Sequence, residues 1–274
     1  VNLDDVLAVQ SAKLDRVIDR DGVAGILKVY DDARDEIWLR LKAQLRGKKG
    51  DSFQAHQLRL ALAQVEQGLG QLVDKAPKLG ASAGIVVNEQ ALGNLSKQIH
   101  LLERHYDGSS TPLAVDQIGQ LSKLQEELRP TLLRRFDVSF RTYGAQTVQA
   151  VEQNLAVGLA TKAPLEETID RVKDTIEAER WKAERIVRTE LIGTANNAAH
   201  EGLVLSRQQW PDLQKMWSAF ADIRECKLCA KLDGTRRPIP NGTWQLRPGV
   251  FVAHAPAHPN CRCSILPMRA AWRN

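Results

Sequence analysis

The first 225 residues contain no cysteine, and all four cysteines of the chain fall between Cys226 and Cys263. A secreted disulfide scaffold is usually short and spreads its cysteines along its length, so that class does not apply. Aromatic residues are scarce at 5%, and Leu, Ala, Val, Glu, Gln, Lys and Arg dominate, which favours helix over sheet. No apolar run approaches the ~18 residues of a membrane span, so no membrane partner is expected. The opening V-N-L-D-D-V lacks a basic segment followed by an apolar one, and no secretory signal is expected. Neither G-x-x-x-x-G-K-[ST] nor G-x-G-x-x-G occurs, so no phosphate-cradling loop is read. His200-Glu201 begins the H-E-x-x-H motif, but Val204 stands where its second histidine belongs. The H-x-E of zinc deaminases is missing as well. No fixed-period repeat and no low-complexity tract is present.

What remains is helix and a Cys/His cluster. The length of 274 residues accommodates one large domain or two smaller ones with a sizeable core. Apolar residues at helical spacing predict helices over about 3–20, 23–46, 53–74 and 88–105, with Gly22 able to interrupt after the first and Ser52 able to cap the third. The segment K-A-P-K-L-G-A-S-A-G is expected to separate the third and fourth, and D-G-S-S-T-P at 107–112 reads as a linker. From Val115 through Leu155 the apolar steps are mostly three or four. They predict one long helix, bent or broken at Pro130. Helices over 164–178 and 180–208 follow, the first opened by Pro164 with Glu166 and Glu167 behind it. After Pro211 the character changes, and K-M-W-S-A-F (215–220) and F-V-A-H (251–254) read as strands. The expected organisation is an N-terminal helical region (1–110), a long-helix body (111–208) and a C-terminal Cys/His-rich module (209–274). The expected fold class is mainly α: an extended helical body with a long central helix plus a small C-terminal α+β, zinc-stabilised module.

The cluster has metal-ligand spacing. Structural zinc takes four tetrahedral thiolate or imidazole ligands, commonly as two close pairs. Cys226 and Cys229 form a C-x-x-C pair, and the second pair must come from His258, Cys261 and Cys263, with His254 a weaker sixth candidate. Five candidates compete for four places, and the spacing does not choose between His258 and Cys263. The 31 residues between Cys229 and Cys261 are rich in Pro and Gly and can build little core, so a bound metal would supply stability. Reduced thiols or disulfides are the competing readings. Four protein ligands would leave no open position for water, which argues against a catalytic metal.

Charge is uneven. Residues 201–274 hold 11 Lys/Arg against 5 Asp/Glu, a net of +6, while residues 1–200 hold 27 against 28. That excess suits an acidic protein surface or nearby packaged DNA. Upstream, Arg188, Thr189 and Glu190 lie on a helix, and Asn197, seven residues beyond Glu190, shares its face. Arg188, Glu190, Asn197 and Asp222 are read as a polar network joining that helix to the module. A catalytic Glu190 is the sharper alternative, but no nucleophile–base pair accompanies it, and no enzyme activity is expected.

The combination of R-T-E (188–190), Asn196/Asn197, W-S-A (217–219), D-x-R-x-C-x-x-C-x-x-L-D-G (222–234) and H-P-N-C-R-C (258–263) resembles the phage Mu F-protein-like minor head proteins, over roughly residues 115–268. Residues 1–110 carry no such resemblance. It implies a bacteriophage head morphogenesis protein, a virion component at the portal vertex and capsid interior that is made in the host cytoplasm. Its implied partners are the portal protein, the major capsid or scaffold protein and packaged DNA. Some members carry fused effector domains; with eleven residues after Cys263, none is expected here. The alternative function is a zinc-stabilised DNA-binding module acting in packaging or ejection.

Overall fold

The structure is a computed structural model that describes residues 9, 12–45, 55–108, 115–161, 163–219, 225–270 and 272. Most of the expected first helix before residue 12, the 47–52 turn with Ser52, positions 109–112 of the linker, and Asp222 lie outside the described residues. The chain is mainly α, with long helices and a small strand-containing module at its C-terminal end, as composition predicts.

Residues 12–17 are helical and run into a π-helical turn, Ile18–Val23. Gly22 lies inside that turn and does not end the helix. A Cβ at Gly22 would stand 2.1 Å from Leu191 Cδ1, so the missing side chain makes room for that leucine. Then come α1 (Ala24–Leu45), α2 (Ala55–Tyr106), α3 (Val115–Ala160) and α4 (Leu165–Ser206).

Two expectations about breaks are corrected. The K-A-P-K-L-G-A-S-A-G segment is helical, and α2 runs 52 residues with Pro77 inside it. The reason is burial: Val65, Leu69, Leu72, Ala76, Ala83, Val87, Ala91, Leu95, Ile99 and Leu102 form one buried stripe straight through the segment. Packing of such a stripe outweighs the low propensity of one Pro and two Gly. The single long helix expected from Val115 is present as α3, with Pro130 inside it. Residues 165–206 form one helix, where a joint near 179 was expected. Glu179, at that joint, is buried, and its carbonyl accepts a bond from Tyr143 Oη at 3.2 Å.

The described chain divides into two compact units made of non-consecutive stretches. One comprises residues 23–80 and 133–187. Its core holds Tyr30, Ile37, Leu72, Phe136, Phe140, Tyr143, Val151 and Ile176. Tyr30 donates to the Ile176 carbonyl and lies 6.5 Å from the Tyr143 ring. Burial pushes the Tyr30 phenol up to about 12 and that of Tyr143 higher still, so both remain protonated donors.

The other unit comprises residues 1–22, 81–132 and 188–274. It contains β1 (Leu213–Ser218), α5 (Lys227–Leu232), β2 (Arg236–Pro238), β3 (Trp244–Arg247), β4 (Val250–Val252) and β5 (Ser264–Arg269). The sheet order is β2-β1-β5, all antiparallel, and β3 pairs with β4 as a separate hairpin. The two expected strands are present as β1 and β4. Strands β2 and β3 escape pattern reading because they are three and four residues long and sit among prolines and glycines. β1 alternates in burial, with Leu213, Lys215 and Trp217 facing inward. The core beneath joins Leu95 and Ile99 of α2 and Leu203 of α4 to Trp210, Trp217, Trp244 and Ile265. Trp210 Nε1 donates to Glu103 at 2.6 Å, and Trp272 stacks on Tyr106 at 5.5 Å.

Candidate metal centre

The first ligand pair is placed by the start of α5. Cys226 is its N-cap, with extended backbone (φ −88°, ψ 153°), and its sulfur accepts from the Cys229 N–H at 3.3 Å. One turn of helix therefore presents both sulfurs to the same side. The L-D-G stretch ends that helix. Leu232 enters the core, the Asp233 carboxylate accepts from the Ala219 N–H at 2.7 Å, and Gly234 turns the chain at φ +69°. Gly234 N–H then donates to the Trp217 carbonyl at 2.9 Å, locking α5 to β1.

The second set comes from the loop before β5. His258 donates from Nδ1 to the Pro259 carbonyl at 2.8 Å, which leaves the Nε2 lone pair facing the sulfurs. That Nε2 lies 3.2 Å from both Cys226 Sγ and Cys229 Sγ. Asn260 adopts the left-handed conformation at φ 60°, and Cys261 N–H donates to the His258 carbonyl at 3.1 Å, so the turn brings Cys261 to 3.8 Å from Cys229.

All five candidate ligands thus converge. Their donor atoms form two triads that share Cys229. One is Cys226, Cys229 and His258, the other Cys229, Cys261 and Cys263, each within 4.8 Å. The four cysteines form no disulfide. The cluster can hold a metal ion. A hydrogen bond from Cys263 lowers the Cys261 thiol to about 5. Burial and the Cys261 charge push Cys229 up to about 12, and the bond to Cys261 together with burial pushes Cys263 up. At His258 burial opposes the imidazolium, but the Pro259 bond and the neighbouring sulfurs outweigh it and raise the pKa. His254 is elsewhere, 5.9 Å from the ring of His200, outside both triads.

The R-T-E helix is fastened to this module. Asn260 N–H donates to Thr189 Oγ1 at 3.1 Å, joining R-T-E to H-P-N. Arg188 pairs with Asp19 at 2.6 Å, and the half-buried Glu190 accepts from Thr194 through its carbonyl. The amide that bridges to β5 is Asn196, one position before Asn197. Its Nδ2 donates to the Cys263 carbonyl at 3.1 Å and its Oδ1 accepts from Ile265 N–H at 2.9 Å. Asn197 is half-buried.

One group went unread in the sequence. Lys215 is fully buried, its Nζ 5.5 Å from the Trp244 ring centroid, and after burial its charge is the next cause that lowers the pKa of His200. The signal was its place between Leu213 and Trp217 in a strand of period two, which puts it on the inward face.

A run of long helices that ends in a small antiparallel module closed around a Cys/His cluster defines a class of helical protein with a metal-competent C-terminal staple. Residues 147–266 match the family model described as phage Mu protein F like protein, which supports the resemblance read from the sequence. The matched span contains every motif that carried the sequence resemblance. No curated protein and no solved structure matches the chain. The family supports a phage head protein, and no described helix is long and apolar enough to cross a membrane.

Proposed function

We propose that this chain is a structural minor head protein that joins the portal vertex and capsid interior during head assembly, with a structural zinc ion closing its C-terminal module. The observation that carries the reading is the convergence of the family's motif stretches on one module. R-T-E, W-S-A, L-D-G and H-P-N-C-R-C are tied to one another by Thr189–Asn260, Ala219–Asp233 and Gly234–Trp217 bonds. These residues build a staple rather than line a substrate cleft.

Zinc fits the donor set. Thiolate and imidazole are its preferred ligands, and two sulfurs each ~2.3 Å from a tetrahedral ion stand ~3.8 Å apart. Cys229 and Cys261 have that separation, 3.8 Å. The outer bond from His258 Nδ1 to a carbonyl is the usual support for a ligating imidazole. With four protein ligands the ion is coordinatively closed, so its contribution is folding energy and not chemistry.

The portal protein and the major capsid or scaffold protein are the partners of this reading. The net +6 of residues 201–274 favours an acidic partner surface or packaged DNA, and a zinc-stabilised DNA-binding module is the second reading it supports. Isolation of assembled heads tests the first: the protein is expected in them in few copies and co-purifies with portal. Heads that form normally and contain none of it would overturn the proposal. DNA affinity that falls steeply with salt would favour the second reading.

A further inference from the structure

Five donors face one another where a tetrahedral ion needs four, and they are not equivalent. In the first triad, His258 Nε2 is 3.2 Å from the sulfurs of both Cys226 and Cys229. From the second triad, Cys261 reaches 3.8 Å from Cys229. Cys261 and His258 also share one turn through the 3.1 Å Cys261 N–H to His258 carbonyl bond, so they shift together as that turn closes on an ion.

Cys263 belongs to a different piece of chain. Its carbonyl accepts from Asn196 Nδ2 at 3.1 Å, and two residues on Ile265 N–H donates to Asn196 Oδ1 at 2.9 Å. Asn196 is itself buried on α4, and β5 starts at Ser264. Neither Cys261 nor Cys263 shares a triad with Cys226 or His258, so either must move to complete a tetrahedron, and for Cys263 that movement runs against both of those Asn196 bonds. Charge points the same way. A divalent ion with three thiolates and one imidazole carries a net of about −1, and with four thiolates about −2. Cys263 is 4% exposed, and a buried site penalises the extra charge. As a neutral thiol it keeps an S–H to donate to a ligand sulfur, the kind of outer bond that orients ligands.

We propose that the ion is held by Cys226, Cys229, His258 and Cys261, and that Cys263 stays outside the coordination sphere as a buried thiol supporting Cys261. This rests on the zinc reading above and specifies its ligands.

Cobalt(II) loading of the full chain tests the assignment, because thiolate-to-cobalt absorption counts the sulfurs. The unaltered chain is expected to bind one ion with a three-sulfur spectrum. Cys263→Ser should keep one ion, the same spectrum and an affinity within about tenfold, the lower end of losses for outer-shell changes. Cys263→Ala, which leaves no ligand atom there, should keep the same ion and spectrum. His258→Ala and Cys261→Ser should each lose more than about 100-fold in affinity, beyond what outer-shell changes cost. The assignment is overturned if both Cys263 variants lose the ion or about a quarter of the sulfur absorption while His258→Ala retains it, as a four-thiolate site requires. Two ions per chain, bridged at Cys229, would overturn it as well. An unaltered chain that takes up neither zinc nor cobalt and shows four free thiols overturns the zinc reading itself, a result distinct from a reassigned ligand.

Discussion

Lys215 and His200 show what a buried charge costs at the level of one residue. Lys215 is fully buried on β1, and its Nζ has no hydrogen-bond partner among the described residues. Burial lowers its pKa to about 8, while the Trp244 face at 5.5 Å offers partial compensation. A lysine whose folded pKa is depressed destabilises the fold wherever the unfolded chain would be charged, which includes pH 7. Lys215→Met is therefore expected to stabilise the protein by about 1–3 kcal/mol at pH 7, read from urea midpoints, and the gain should shrink as pH rises from 8 toward 10.5. His200 is depressed to about 4 by burial, then by the Lys215 and His254 charges. Its neutral form belongs to the folded state, so its contribution is complete above about 6.5 and is lost as pH falls toward 4. About 3 kcal/mol should disappear across that window, and His200→Gln should flatten the loss.

At the scale of elements, helix continuity is decided by the packed face rather than by local propensity. Gly80 lies within the segment whose composition predicts a break. A Cβ there would stand 2.6–2.7 Å from Phe136 ring atoms, so the glycine is what lets α2 and α3 approach at that level. Gly93 is exposed in the same helix, with nothing within 4 Å of a built Cβ. Gly80→Ala is expected to destabilise by about 1–3 kcal/mol through overpacking. Gly93→Ala should stabilise by about 0.5–1 kcal/mol through unfolded-chain entropy. Thermal melts of both variants check the contrast, and equal effects would refute the packing account. The same lesson covers the run at 165–206. A periodic apolar pattern is legible residue by residue, but whether a Pro, a Gly or a phase shift ends the helix depends on which neighbour fills the face.

For the whole molecule, the metal reading predicts separable behaviour. Chelation should loosen the stretch Glu225–Cys263, where Pro and Gly are dense and helix is limited to α5. The long helices, which bury only part of their apolar faces against the module, should retain most of their far-ultraviolet signal. Limited proteolysis with and without chelator checks this: new cleavages confined to the module are expected, and an unchanged pattern would remove the staple from the account. Much of this module was visible beforehand. C-x-x-C and H-P-N-C-R-C announce ligands by spacing. The work of Thr189, Asn196 and Lys215 was not visible, because each depends on partners 15 or more residues away in the chain: Asn260, Cys263 with Ile265, and Trp244 with His200.

By itself the sequence determined the mainly helical class, the position of the C-terminal module and the five residues able to serve as ligands. Those properties follow from periodicity and donor chemistry, which are local. Tertiary structure decided which helices run through their prolines and glycines, which amide ties α4 to β5, and how the five donors divide into triads around Cys229. Each of these is settled by contacts between distant segments, where a few ångströms of approach separate a ligand from a neighbour.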